Sequence, residues 1–449
     1  MLKNRLTVCL DRIFGLYLCG NRKFLTKSKE IIGKCMIREF WAENYKSIRD
    51  KQILNFECRS NEETVASVEM GNGVRLNKLG IIYGANASGK SNILYALQNV
   101  FDVLYHSCAK KEEKVHGAGP FALRLNDPTT LYVSFYANHI RYDYQVVYHS
   151  NYIVSEELYY YPNSSKALFY ERKFTTYDTQ ANIRFGNSLK LLAKTVDAIV
   201  QNTLNNHSVL STFQKLALGD DAKEIATLYN WVGKHIHEVN GDYVDEFSTQ
   251  IGKVNSDDKK KRFYLQMLKK ADFNILDFTY SVEEFPWKEN STLMLKKEDV
   301  KFLNGSANGQ FYLDDYDQSK GTKRYLMILN FLYDMVMENH VYLMDELDVE
   351  LHFDLLLHFL NVFLYNSDES QLIFTSQEIL LLKEDFLNEN RNLVWFAEKS
   401  TESAASSFTR ADQFGLHKNL SLFRSYKIGK LGAVPTLGSF LLDLNDEKE

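Results

Sequence analysis

The sequence predicts an α/β fold with a mixed, largely parallel sheet, an antiparallel β lobe and an inserted helical region. Three observations carry this. First, "LNKLGIIYG" is a continuous apolar run that leads through a loop of small residues into "KSNILYALQNVFDVLYH", whose apolar residues recur at helical spacing. A parallel strand buried on both faces, followed by a helix, has this pattern. Second, the very apolar short runs "HVYLMDE", "SQLIFTSQ" and "NLVWFAEK" come late in the chain, with a helix pattern between the first two; strands alternating with helices make a parallel sheet. Third, "TTLYVSFYA", "IRYDYQVVYH", "YIVSEELYYY" and "KALFYER" follow one another with turn residues between them, as in an antiparallel sheet.

In chain order, residues 1–35 show no clear strand alternation and form an appended arm. From Met36 the segment "MIREFWAENYKSIRDKQILNFEC" alternates as short strands with polar breaks, and residues 36–186 make the first half of the core. Residues 187–272 become helical and polar, with "SLKLLAKTVDAIVQNTL", "AKEIATLYNWVGKHIHEV" and "KKKRFYLQMLKKA". No heptad repeat is sustained, so no long coiled-coil arm is expected. Residues 273–449 return to strand patterns and make the second half. "STESAASSF" near 400 reads as a small-residue surface loop.

The bulk properties exclude several classes. The 449 residues allow two or three lobes, 45% hydrophobic and 25% charged residues are ordinary globular values, and 5 prolines with 22 glycines argue against long disordered linkers. A formal net charge of −5 gives no global sign of a nucleic-acid coat or a basic membrane binder. No apolar run approaches a membrane span. Cys9, Cys19, Cys35, Cys58 and Cys108 form no C-x-x-C pair, which fits a reducing cytoplasm better than a disulfide framework.

The chemistry concentrates in "GIIYGANASGKSNIL", Gly80–Leu94. Gly84, Ala85, Asn86, Ala87, Ser88, Gly89, Lys90 and Ser91 fit G-x-x-x-x-G-K-[ST] between a strand and a helix. Backbone N–H groups of such a loop converge on an anion, and glycines let the chain close round phosphate oxygens without a Cβ clash. Lys90 then reaches the β- and γ-phosphates and Ser91 offers a hydroxyl to Mg2+. "HVYLMDELD" places Asp345 and Glu346 at the end of an apolar strand. Asp345 is suited to hold Mg2+ through water, and Glu346 to orient and deprotonate the attacking water. The wide separation of these motifs leaves room for extra lobes between two halves of one ATPase core, and no N-K-x-D guanine motif is present. Ser319, Lys320 and Gly321 precede a helix pattern; they suit either a contact to the γ-phosphate of ATP on a second subunit or a plain helix N-cap. Thr375, Ser376 and Gln377 end a strand, as a γ-phosphate sensor or simply as its polar terminus.

In this order, "IREFWAENYKSIRD", "GANASGKS", "QSKGTKRYL", "YLMDELDVELH", "FTSQE" and "LSLFRSYKIGKLGAVP" resemble the ABC-type AAA-family ATPases of restriction-linked and phage-defence loci, kin of the OLD, RecF and SMC ATPases. The resemblance covers about residues 36–440. It implies an ABC-ATPase-like P-loop NTPase head that closes as a dimer over two ATP molecules. Position by position it implies phosphate and Mg2+ binding by Gly84–Ser91, a trans signature at Ser319 and Gly321, a magnesium carboxylate at Asp345, a catalytic base at Glu346, a dimer-facing loop at 348–352, and a turn near the nucleotide at Asn44, Lys46 and Ser47. Two positions depart from it. Gln377 stands where a switch histidine is usual, so it can orient water but not become a cation. Gln318 stands where a glutamate is common.

"DDKKKR" at 257–262 suits a solvated helix face better than a nucleic-acid contact, given its acidic neighbours. His235 and His237 lack the partner pattern of a metal site. No appended nuclease constellation follows Gln377. The functional expectation is a cytoplasmic, homodimeric or higher homo-oligomeric sensor ATPase of antiphage defence that acts on a separate effector protein; the alternatives are a RecF- or SMC-like ATPase that clamps DNA and a nucleotide-binding scaffold. The Lys90→Ala substitution removes the charge that faces the phosphates and should weaken ATP binding by about a hundredfold; titration of nucleotide into the purified variant checks this, and wild-type affinity contradicts the phosphate-loop assignment.

Overall fold

The structure is a computed structural model that describes residues 35–58, 64–117, 119–174, 182–239, 247–271, 273–286, 294–417 and 419–434. The expected arm lies outside the described residues, apart from Cys35.

Strand β1 (Cys35–Glu43) is followed by β2 (Gln52–Asn55), the ribbon β3 (Ser67–Gly71) and β4 (Val74–Asn77), strand β5 (Leu79–Gly84) and helix α1 (Lys90–Tyr105). Next come β6 (Thr129–Ala137), β7 (Ile140–His149), β8 (Tyr152–Tyr161), β9 (Ala167–Lys173) and β10 (Asn182–Phe185). The middle of the chain holds α2 (Ala193–Asn202), α3 (Lys223–His235), β11 (Ile236–Val239), α4 (Phe247–Asn255), α5 (Asp258–Lys270), β12 (Ile275–Pro286), β13 (Met294–Ser306) and β14 (Gly309–Asp314). The last part holds α6 (Lys320–Met337), β15 (Val341–Met344), α7 (Phe353–Asn366), β16 (Gln371–Ser376), α8 (Asp385–Glu389), β17 (Val394–Lys399), β18 (Ser406–Arg410) and α9 (Leu422–Lys427).

Among the described residues the strands form four sheets. The expected antiparallel lobe is the sheet β10-β9-β8-β7-β6-β1-β2. The expected parallel sheet has the order β11-β15-β16-β5-β17-β18. Every pair in it is parallel except β17–β18. The segment expected to be a helical insertion is helical in α2–α5, but β11 corrects that reading: it pairs in parallel with β15, Ile236 opposite Val341, and so belongs to the sheet that carries the carboxylates. Its "IHEV" is too short to stand out from the helix before it.

The central strand explains its own sequence. All six residues of β5 are buried. Ile82 packs into the core shared by α1 and the antiparallel sheet, whereas Leu79, Ile81 and Tyr83 pack into the core on the other face, under α5–α7. A strand covered on both faces has no position for a polar residue. Gly80 is required because a Cβ there would lie 2.8 Å from the Phe56 ring. In α1, Ile93, Leu94, Ala96, Leu97, Val100, Phe101 and Leu104 are buried at helical spacing, one stripe facing the core.

Gln371 joins the two sheets. It is fully buried at the start of β16; its side-chain amide donates to the carbonyls of Ile37 (3.0 Å) and Asn77 (2.9 Å) and accepts from the Ile37 N–H (2.8 Å). A Gln371→Leu substitution strands those three backbone groups in the core and should cost about 3 kcal/mol of stability, read as a lower denaturation midpoint in urea at unchanged slope.

Candidate nucleotide-binding site

The ends of three neighbouring parallel strands build the site. The loop Gly84–Gly89 leaves β5, Asp345 and Glu346 leave β15, and Thr375–Gln377 close β16. Crevices at the carboxyl ends of parallel strands are where ligands of such sheets bind.

The phosphate loop takes the conformation its residues permit. Ala87 (φ 63°) and Gly89 (φ 101°) are left-handed. A Cβ on Gly89 would lie 2.3 Å from Ser406 Oγ and 2.8 Å from Ser47 Oγ, and one on Gly84 would lie 2.6 Å from the Ala397 carbonyl. Asn86 and Ala87 are exposed at the tip and Ala85 is half-buried. Ser88 is buried, and its Oγ has no partner among the described residues. The Lys90 ammonium folds back over the loop and donates to the carbonyls of Gly84 (2.9 Å) and Ala85 (3.2 Å). Burial pulls the pKa of Lys90 below the usual lysine value, opposed by Glu346, Asp345 and Asp348. The loop therefore holds a buried cation and a buried hydroxyl beside a helix start, a cradle that fits phosphate oxygens.

Three hydroxyl groups hold Asp345. Its Oδ1 accepts from Ser91 Oγ (3.1 Å) and Thr375 Oγ1 (2.5 Å), and its Oδ2 from the Tyr95 hydroxyl (3.3 Å). Thr375 Oγ1 also accepts the Glu346 N–H at 2.8 Å, so one hydroxyl positions both acidic residues. Glu346 is left-handed (φ 50°), and Arg324 donates to its carbonyl at 3.3 Å. The Gln377 side chain donates to Glu346 Oε1 at 2.8 Å, and the Gln377 N–H donates to Asp348 at 2.9 Å. Ser91 and Asp345 offer only hard oxygen donors, the set that Mg2+ takes. Burial, and then Asp345, raise the Tyr95 phenol above its usual pKa.

The turn Asn44–Ser47 lies against the loop, but its residues divide. Ser47 Oγ accepts from Asn92 and from Ser406 Oγ, both at 2.8 Å. The Lys46 ammonium sits 4.3 Å from the centre of the Tyr95 ring; burial lowers its pKa, against Asp345 and Glu238, which raise it. Asn44 corrects the expectation of a nucleotide contact: its side chain is buried and donates to the carbonyls of Arg124, Asp127 and Pro128. These bonds brace the turn.

Ser319 and Gly321 are not brought to this loop by their own bonds. Ser319 caps α6, accepting from the Thr322 N–H at 3.0 Å. Gly321 lies against the loop after β15, where a Cβ would meet the Glu350 carbonyl at 3.0 Å. The basic run of α5 forms a paired face: Asp257 caps the helix, Lys260 pairs with Asp334 (3.3 Å) and Lys261 with Asp277 (2.8 Å). His235 bonds the Asn339 carbonyl (2.6 Å) and His237 bonds His340 (2.9 Å); no cluster suited to a metal ion occurs among the described residues.

Sequence reasoning passed over Tyr95, Asn92, Arg324, Glu238 and Ser406. Tyr95 had a usable signal, since it stands four residues after Ser91 and hence on the same helix face. Ser406 corrects the surface-loop reading of "STESAASSF": it opens β18, is buried and touches Ser47.

A family model described as "AAA domain, putative AbiEii toxin, Type IV TA system" matches residues 80–383, from β5 past β16. No curated protein matches the chain. Among solved structures the chain is similar to the "SMC head domain from Thermotoga maritima", at 14% identity and a TM-score of 0.40, covering 83% of this chain and 98% of that one. It is similar also to "SmcHead bound to the C-winged helix domain of ScpA", at 13% identity and a TM-score of 0.39, covering 87% and 99%. With its phosphate loop, its acidic strand end and a match across most of its length, the chain belongs to the AAA-domain family so described.

Proposed function

We propose that this chain binds ATP with Mg2+ and hydrolyses it, in a site that a second copy completes, and that the cycle regulates a separate effector protein. The observation that carries the reading is the convergence of Lys90, Ser91, Asp345, Glu346 and Gln377 at three adjacent strand ends. The backbone N–H groups of Ala85–Ser91 and the Lys90 ammonium would hold the phosphates, and Ser91 and Asp345 would hold the metal. Magnesium, when bound, neutralises charge on the β- and γ-phosphates. The chain itself supplies the base: Glu346 accepts a proton from the attacking water. The Gln377 amide fixes one carboxylate oxygen of Glu346 and leaves the other to face the water. Because Gln377 carries no titrating ring, this restraint does not depend on pH near neutrality.

Ser319, the exposed cap of α6, supports the trans assignment: the N–H groups of that helix start and the small Gly321 leave room for a phosphate held by another subunit. The family description names a type IV toxin–antitoxin system, which agrees with a defence role exercised through another protein.

Glu346→Gln should leave ATP binding intact and lower hydrolysis by at least about a hundredfold, with a closed dimer accumulating; phosphate release and light scattering measure both, and wild-type turnover removes Glu346 as the base. Ser319→Arg should leave ATP binding by the single subunit unchanged while closure and hydrolysis fall together. Mixing it with Lys90→Ala restores one composite site per heterodimer, so part of the activity should return; no recovery at any mixing ratio contradicts the trans site.

A further inference from the structure

Asp345 is held at both of its oxygens, and the two holds come from different places. Oδ1 accepts from Ser91 and from Thr375 at the end of β16, whereas Oδ2 accepts from the Tyr95 hydroxyl at 3.3 Å. A carboxylate bonded at one oxygen alone can still turn about its last side-chain torsion, which is broad. A bond to the second oxygen sets the plane of the group. Tyr95 stands one helical turn after Ser91 on α1, so both hydroxyls leave the helix on the side that meets the end of β15.

The ring of Tyr95 has a second neighbour. The Lys46 ammonium lies 4.3 Å from its centre and 5.9 Å from the centre of the Tyr45 ring. Among the described residues Lys46 makes no ion pair, although Asp345 and Glu238 both attract it. The backbone beneath it is fixed: Lys46 is left-handed (φ 47°), and its N–H donates to the Gly119 carbonyl at 3.1 Å. The next residue, Ser47, bonds Asn92 in the first turn of α1 and crowds Gly89, which ties the turn to the phosphate loop. A lysine stem has much rotamer freedom to lose. An aromatic face attracts the ammonium without neutralising it, so the ring holds a cation beside the site and leaves its charge in play.

We propose that Tyr95 is a positioning residue with two separable duties: its hydroxyl sets the Asp345 carboxylate for the metal, and its ring seats Lys46 as a second cation for the nucleotide. The inference rests on the phosphate-loop and magnesium reading of the proposed function. The two contacts use different atoms of one side chain, so substitution can remove one and keep the other.

The duties are read as two binding constants. Affinity for a non-hydrolysable imido analogue of ATP is measured by calorimetry on the full chain, once with Mg2+ and once with EDTA. The EDTA value reports the cations of the site, and the ratio of the two values reports the metal carboxylate. Tyr95→Phe keeps the ring and loses the hydroxyl. Its EDTA affinity should equal that of the wild type, while its gain on adding Mg2+ should fall about tenfold. Tyr95→Leu loses both contacts, so its Mg2+ gain should fall as far and its EDTA affinity should drop about fivefold. Lys46→Met should show at least that EDTA loss with its Mg2+ gain undiminished, and the double variant should lose no more in EDTA than Lys46→Met alone. If Tyr95→Leu does not fold, Tyr95→Met takes its place in the cycle. A Tyr95→Phe chain with the wild-type Mg2+ gain, or a larger one, overturns the proposal, as does a loss of equal size in both media, which packing alone explains. EDTA losses that add in the double variant overturn the seat. A wild-type chain that binds no analogue refutes the phosphate-loop reading, and one that binds it but gains nothing from Mg2+ refutes the magnesium reading; a wild-type gain that Tyr95→Phe retains refutes the role of Tyr95 alone.

Discussion

The parallel pairing of β15 with β16, and of β16 with β5, is the constraint on which the site depends. In this register Met344 lies opposite Phe374, and Ser376 opposite Tyr83, so the three strands stop side by side and their next residues share one crevice. Asp345, Thr375 and the phosphate loop then meet without a long side chain having to reach. The Thr375 hydroxyl spans the gap between two strands, touching Asp345 Oδ1 and the Glu346 N–H. A slip of one residue would turn every side chain of a strand to the other face, and the double-sided core round Ile81 and Ile82 forbids it.

The same sheet connects the acidic strand end to regions far from it in sequence. Arg324, five positions after the cap residue of α6, holds the Glu346 carbonyl, and Gly321 packs on the Glu350 backbone. The start of α6 and the acidic loop are thus in direct contact through the Glu346 and Glu350 backbone. On the other side, β18 carries Ser406 to Ser47 and Gly89, so the phosphate loop is braced from both ends of the chain.

The parts of this site that were legible in the sequence are those whose chemistry is local. Gly84–Ser91 is a contiguous string because one turn of backbone must surround one anion. Asp345 and Thr375 stand directly after apolar runs, with Glu346 and Gln377 just beyond them, because a strand end marks itself. What escaped was set by distant pairing. The strand character of β11 becomes visible only when Ile236 is seen beside Val341. Asn44 looked like a ligand residue because nothing in "AENYKS" announces that Arg124, Asp127 and Pro128 will bring their carbonyls to its amide. Gln371 opens an apolar run as an apparent blemish, yet it is the joint between two sheets. A buried polar side chain has its reason in its partners, and those partners lie far away in the sequence, at 80–84 residues for Asn44 and 294–334 for Gln371.

The balance of charge in the site bears on what it can accept. Lys90 faces Glu346, Asp345 and Asp348, and Lys46 faces Asp345 and Glu238. With Arg324 at the Glu346 backbone, three cations stand against four carboxylates. A bare triphosphate entering such a site meets net repulsion beside the acidic strand end, even though the loop itself attracts it. A divalent cation, were it held by Ser91 and Asp345 as proposed, would reverse that balance where charge matters most, because interactions strengthen as water is excluded. The hydroxyls that hold Asp345 turn its carboxylate toward Ser91 rather than to an ammonium, and Lys90 is parked on its own loop carbonyls. For the ATP site proposed above, this arrangement would favour the metal–nucleotide complex over the free nucleotide, with Lys90 held at the loop rather than paired with the acid assigned to the metal.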